Sequence, residues 1–203
     1  MPAGAPEKRS RAERRDATEN REKILRTAAD LMAARGQNVP LTDIAEAAGV
    51  GVGTFYRRFP DRAALLDEMQ RRGSGLLLRT LARIKEDGLG GADAIEAYLN
   101  ECLNLANQLV AMPLRGGKPL VDDAALKARE DIGIAIENFL AEGRADGSIH
   151  ADVQAIDVIV CATLVAIPLP HGPDWAVTAR RHIKMFVRGI RTTHPAPPRV
   201  RRR

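Results

Sequence analysis

Residues 41–66 read LTDIAEAAGVGVGTFYRRFPDRAALL, and here residue types and spacing point most directly to a chemistry. Two short helical runs, 42–48 and 52–59, flank the tight turn Gly49-Val50-Gly51, the arrangement of a helix-turn-helix. Ile44 and Ala48 of the first run are spaced to pack against Phe55 and Phe59 of the second. Ala45 is small enough for the two helices to cross closely, and Val50 plugs the turn. Thr42 is a good N-cap for the first run. The opposite face of the second run is left outward, presenting Gly51, Val52, Gly53, Thr54, Tyr56, Arg57 and Arg58. Small residues at a helix start let its backbone enter a major groove, and its first amides and dipole favour phosphate. A Tyr56 hydroxyl can donate to phosphate, and an arginine can bind phosphate or read a guanine edge.

Other chemistries find little support. His150, His171, His182 and His194 are not spaced as a metal site, and none stands beside a candidate nucleophile. The two cysteines, Cys102 and Cys161, are too few for a disulfide scaffold or a four-cysteine zinc site, and read as small hydrophobes. There is no glycine-rich phosphate loop, no G-x-S-x-G and no H-E-x-x-H. No enzyme, no cofactor and no metal are expected. The apolar stretch 156–170 is broken by Asp157, Pro168 and Pro170 and is too short to span a bilayer. No apolar stretch follows the basic residues near the start, so the expectation is a cytoplasmic chain without a membrane partner.

Charge is distributed unevenly. Residues 1–75 carry 14 Lys+Arg and 11 Asp+Glu, residues 76–187 carry 11 and 15, and residues 188–203 carry 6 and none. A polyanion-binding part therefore belongs at an end rather than in the acidic middle. Arg199, Arg201, Arg202 and Arg203 can add nonspecific DNA affinity or form a solvated end.

Positioning these residues falls to helices. Residues 1–19 read as a flexible arm of mixed charge. Ile24, Leu25, Ala28, Leu31 and Met32 have helical spacing, ended by Gly36. After Phe59, Pro60-Asp61 stops one helix and starts another, with Leu65, Leu66 and Met69 inward. The spacing then predicts a long helix kinked, or divided, at Gly73-Ser74-Gly75, followed by helices over 92–112, 122–142, 153–167 and 174–191. Leu126, Ile132, Ile136, Phe139 and Leu140 are the apolar positions of the second of these. Without strand-like alternation, the fold class is all-α with about nine helices.

The pattern around the glycine turn extends on both sides. Ile24-Leu25, Ala28-Ala29, Gly36, LTDIAEAAGV, GTFYRRF and Asp61-Arg62-Ala63-Ala64-Leu65-Leu66 together resemble the DNA-binding domain of the TetR family of bacterial transcriptional regulators. The resemblance covers the first third of the chain closely and the rest only as architecture. It implies a helix-turn-helix DNA-binding domain over 20–66, a larger helical ligand-binding and dimerisation domain over 67–193 and a basic tail over 194–203. The DNA-binding set is then Thr42, Gly51, Val52, Gly53, Thr54, Tyr56, Arg57, Arg58 and Arg62. The family usually has Ser where Gly51 stands, so one side-chain contact is missing here. It has Lys where Arg62 stands, and Arg keeps the charge. The partners implied are a double-stranded DNA operator, a second copy of the chain and a small-molecule effector that releases DNA, which makes a repressor. A DNA-binding architectural protein without a ligand is the alternative.

For the second domain the residues say less. The nearly all-apolar run 153–167 reads as a core helix or a dimer face, and the resemblance favours the latter, through Ile156, Val160, Thr163, Leu164, Ile167, Phe186 and Ile190. Tyr98, Cys102, Leu105, Leu109, Met112, Ile136, Phe139, Cys161, Val165 and Trp175 are the candidate lining of an apolar pocket. Each taken singly also reads as ordinary core packing.

Overall fold

The structure is a computed structural model that describes residues 11–36, 38–109, 122–167 and 174–192. Among these residues it is all-helical, with eight α-helices and one short 3-10 helix. The chain divides into two units, Met1–Leu65 and Leu66–Arg203.

The first unit holds α1 (Arg11–Arg35), α2 (Leu41–Ala47), α3 (Val52–Arg58) and the start of α4 (Arg62–Glu86). Ile24, Leu25, Ala28 and Met32 are buried along α1, as their spacing predicts, with Ala29 beside them, whereas Leu31 is only half-buried. Gly36 closes the helix at φ +85°, its N–H donating to the Met32 carbonyl at 2.9 Å. The helix begins at Arg11, however, so residues 11–19 are helical and not a flexible arm. This stretch has no apolar periodicity to reveal it. Helix-favouring charged residues form it, with Arg15 and Glu19 paired at i, i+4 and 3.0 Å apart.

Helix α2 buries Ile44 and Ala45, followed by Ala48, and α3 buries Phe55, followed by Phe59. Between them Gly49 takes φ +67°, a left-handed value that a side chain would resist, and the Val50 N–H reaches back to the Ala45 carbonyl at 3.0 Å. Thr42 is not the cap of α2. Pro40 holds that position at φ −57° and ψ 141°, and Thr42 is the second residue of the helix with its side chain exposed. Pro40 offers no side-chain acceptor, so the first amides of α2 have no side-chain cap. Asp61 does cap α4, accepting from the Ala64 N–H at 2.8 Å.

The second unit is built around α5 (Gly91–Asn104), against which α6 (Asp123–Ala145), α7 (Ala155–Val165) and α8 (Trp175–Ile190) all pack. Helix α4 runs unbroken through Gly73-Ser74-Gly75, which removes one helix from the expected nine. Gly73 is buried, and a Cβ there would lie 3.5 Å from Leu109 Cδ2, so the glycine serves close packing rather than a break.

Helix α5 stops at Asn104, short of the expected 112. Leu105 takes φ −90° and ψ 5°, and the chain tightens into the 3-10 helix Ala106–Gln108. Asn104 and Asn107 favour helix weakly, so the apolar spacing outlasts the helix itself. Asp122 caps α6 through the Ala125 N–H at 2.8 Å. Ala125 turns inward while the neighbouring Leu126 is exposed, contrary to expectation. Gln154 and Asp157 form a capping box at the start of α7, and Asp174 accepts from the Ala176 N–H at the start of α8. An isolated bridge between Ile149 and Arg191 ties the α6–α7 connection to the end of α8.

Candidate nucleic-acid interface

The candidate DNA-binding residues all fall within α2, α3, the turn between them and the first residue of α4. Phe55 and Phe59 anchor α3, their rings 5.3 Å apart and inclined at 52°. Tyr56 stands edge-on to Phe55 at 5.9 Å and is 40% exposed, so its ring is steadied while the residue stays accessible. Anchoring one face this way leaves Val52, Gly53, Thr54, Tyr56, Arg57 and Arg58 exposed on the other. Gly51 is the N-cap of α3 at φ −61° and ψ 137°. A Cβ added at Gly51 or Gly53 would meet nothing within 4 Å, so the start of α3 is open to close approach.

The electrostatics of α3 are one-signed. It carries no acidic residue and ends in Arg57 and Arg58. Arg57 Nη2 donates to Thr54 Oγ1 at 2.9 Å, which aims the guanidinium back along the helix toward the open end. Arg62 is half-buried, and its Nη2 donates to the Val39 carbonyl at 2.5 Å. It joins the start of α4 to the segment before α2, a positioning part that the sequence did not announce.

Lys23 escaped the sequence reading. It is exposed on α1, and its Nζ would lie 3.4 Å from a Cβ at Gly49, so its ammonium reaches the α2–α3 turn. Its one signal was its place just ahead of the buried pair Ile24-Leu25, which puts it on the outer flank of α1.

The candidate pocket residues lie in the second unit. Tyr98, Cys102, Ile136, Phe139 and Val165 are buried in one cluster, and Leu109, Cys161 and Trp175 are half-buried against it. Leu105 is half-buried just past the end of α5, and Met112 lies outside the described residues. Tyr98 and Cys102 are hydrogen-bonded one turn apart on α5, and burial drives the phenol well above its ordinary range. The Cys102 thiol is pushed up to about 12 and that of Cys161 to about 11, both by burial, so both are protonated thiols at neutral pH. Trp175 spends its indole N–H on the Val165 carbonyl, at 2.9 Å.

Of the candidate interface residues, Ile156, Val160, Thr163, Leu164 and Ile167 are exposed along one side of α7 and the turn after it. Leu164 is 63% exposed. Phe186 is half-buried, whereas Ile190 is only 5% exposed and belongs to the core of its own chain. Counted from Ala179, Ile183, Val187 and Ile190 stand at i+4, i+8 and i+11, which makes one stripe, and that stripe faces α5. Among the described residues no helix is long and apolar enough to cross a membrane, and no three His, Cys, Asp or Glu gather as a metal site.

Residues 24–69 match the family described as bacterial regulatory proteins, tetR family. The chain is 31% identical over 91 residues to the HTH-type transcriptional regulator SAUSA300_2515 of Staphylococcus aureus, a match covering 44% of this chain and 49% of that protein. It thus spans about half the length of the curated relatives it matches. Its fold is similar to the TetR transcriptional regulator SCO0520 from Streptomyces coelicolor, with a TM-score of 0.65 and 27% identity over 86% of this chain and 99% of that one. A TetR transcription regulatory protein from Mycobacterium vanbaalenii shares the fold, with a TM-score of 0.65 and 24% identity over 89% and 99% of the two chains.

Proposed function

We infer that this chain, which belongs to the TetR family of bacterial transcriptional regulators, is a repressor released from its operator by a small, mostly apolar molecule. The outward face of α3 carries this reading. Phe55 and Phe59 hold the helix from behind, two glycines leave its start open, and Thr54, Tyr56, Arg57 and Arg58 stand exposed. Two copies of the chain set α3 in successive major grooves of a near-palindromic site in cytoplasmic DNA. Tyr56 and Thr54 donate to phosphates, while Arg57 and Arg58 bind phosphate or read guanine. Arg62 holds the start of α4, and Lys23 adds charge at the turn.

The second unit supplies dimerisation and control. The exposed side of α7 forms the dimer seam with α8 of both copies. The effector enters among the side chains around Tyr98, Cys102, Ile136 and Phe139, where the Tyr98–Cys102 pair is the polar anchor in an apolar lining. Helix α4 starts four residues after α3 ends and continues past Leu65, so it is the segment through which effector binding acts on α3. By linkage the effector releases DNA only as far as it binds the DNA-free form more tightly, typically about 1–3 kcal/mol of coupling.

The test is fluorescence anisotropy with intergenic DNA flanking the chain's own gene, at fixed salt. Specific binding is expected, with Tyr56→Phe and Arg57→Ala each weakening it by about 1–3 kcal/mol while the helical circular dichroism stays unchanged. Undiminished affinity in both variants would remove α3 from the interface. A screen in which no small molecule alters operator affinity would favour an architectural protein.

A further inference from the structure

Helix α8 carries a second basic surface, remote in sequence from α3. Arg180, Arg181, Lys184, Arg188 and Arg191 line one side of an open groove of about 650 Å³, with Glu96 of α5 opposite. Val177, largely exposed, gives the groove an apolar patch.

Several arginines elsewhere in this unit find carboxylates, although Arg72 meets the Gln108 amide and Arg79 has no ion pair among the described residues. Arg71 meets Asp122, Arg83 meets Glu101, Arg144 meets Glu137, and Arg191 itself meets Asp93 at 2.5 Å. Arg180, Arg181, Lys184 and Arg188 are exposed, and among the described residues none of the four forms an ion pair. Arg180, Lys184 and Arg188 succeed one another at i, i+4, a spacing at which like charges oppose helix formation. A merely solvated helix face has no reason to concentrate one sign, least of all over a concavity sized for a small molecule.

The groove is separate from the surfaces already described. Ala179, Ile183, Val187 and Ile190 face the core, and Trp175 turns toward α7. At about 100° per residue, Lys184 and Phe186 lie roughly 160° apart around α8, so the basic side looks away from the apolar side next to α7.

We propose that this groove binds a small phosphate-bearing molecule, whose anionic group lies among Arg180, Arg181, Lys184 and Arg188 and whose apolar part rests on Val177. Arginine forks suit phosphate oxygens, and several together offset the two or more charges such a group carries. The groove's size suits a small molecule.

The experiment uses the full chain and sodium pyrophosphate as the probe, followed by isothermal titration, with sodium chloride at matched ionic strength as the reference. Binding of one pyrophosphate at the groove is expected, weakened about tenfold or more in the double variant Arg181→Gln/Lys184→Gln. Both residues are exposed, so the variant should melt as the parent does without the probe. A second pair, Arg180→Gln/Arg188→Gln, gives the same comparison should the first fail to fold. Equal titrations in parent and variant, or heats that chloride reproduces, would make the groove a solvated surface and overturn the proposal. A variant that lowers the salt dependence of duplex DNA binding would make it a nucleic-acid contact instead, which also overturns it.

Discussion

Trp175 donates its indole N–H to the carbonyl of Val165 at 2.9 Å, tying the first residue of α8 to the last residue of α7. A carbonyl in the last turn of a helix has no partner within that helix, so this bond satisfies a group that would otherwise need water. Trp175→Phe keeps most of the ring and deletes the donor. Thermal unfolding followed by circular dichroism should show a loss of about 1–2 kcal/mol. An unchanged transition would mean that water replaces the indole without cost.

Gly143 of α6 lies where no side chain fits. A Cβ there would come within 2.5 Å of Ile149 Cδ1 and 3.2 Å of Gly91 Cα. Ile149 is buried and has little room to yield. Gly143→Ala should cost about 1–3 kcal/mol by overpacking. Gly133 on the same helix meets nothing within 4 Å, so Gly133→Ala should stabilise by roughly 0.5–1 kcal/mol through helix propensity alone. Denaturant titration of the two variants should move the midpoint in opposite directions.

The raised thiol of Cys102 makes stability depend on alkaline pH. An unfolded thiol ionises near 9, whereas in the fold burial holds Cys102 protonated up to about 12. Above pH 9 the unfolded state sheds a proton that the folded state keeps, so stability is full below pH 9 and falls as pH rises toward 12. For this one group the slope approaches about 1.4 kcal/mol per pH unit. Cys161, pushed up to about 11, adds to the decline over a narrower window. Denaturant midpoints across pH 8–11 should fall, and Cys102→Ala should flatten the fall even though it lowers the starting stability. In the native protein at pH 8, Cys102 should also resist a thiol reagent.

Leu164, exposed in the single chain, tests the proposed dimer seam. Leu164→Glu leaves the core untouched, so the variant should fold. A charge in a dry seam costs several kcal/mol, and sedimentation should then show a folded monomer. A dimer as tight as the parent would place the seam elsewhere.

How far the sequence revealed the structure varies from element to element. The α2–turn–α3 segment was legible because each residue there has a narrow job. Gly49 needs a left-handed φ, Phe55 and Phe59 must be covered, and what remains of a seven-residue helix has to face outward. The start of α1 was not legible, since a helix formed by charged residues carries no apolar period. The end of α5 was hidden for the opposite reason, because Leu105 and Leu109 continue the apolar spacing past the last helical residue. Ile190 and Leu164 are both apolar residues on late helices, yet one is core and the other exposed. Only the packing of α8 on α5 separates them. The basic side of α8 went unread because counting charge over residues 76–187 buried three of its residues in a net-acidic segment.

The pairing of Arg191 with Asp93 bridges 98 residues and joins the end of α8 to the first turn of α5. On the ribosome the chain emerges at about 5–20 residues per second, so α5 waits roughly 5–20 s for the helix that covers it. During that interval Ile95, Leu99 and Leu103 lack the partner they have in the finished fold. The buried residues of the first unit lie between Ile24 and Leu65 and have all been synthesised before α5 begins. Birth order therefore gives the two units unequal risk, and the nascent second unit is where chaperones have the most apolar surface to shield.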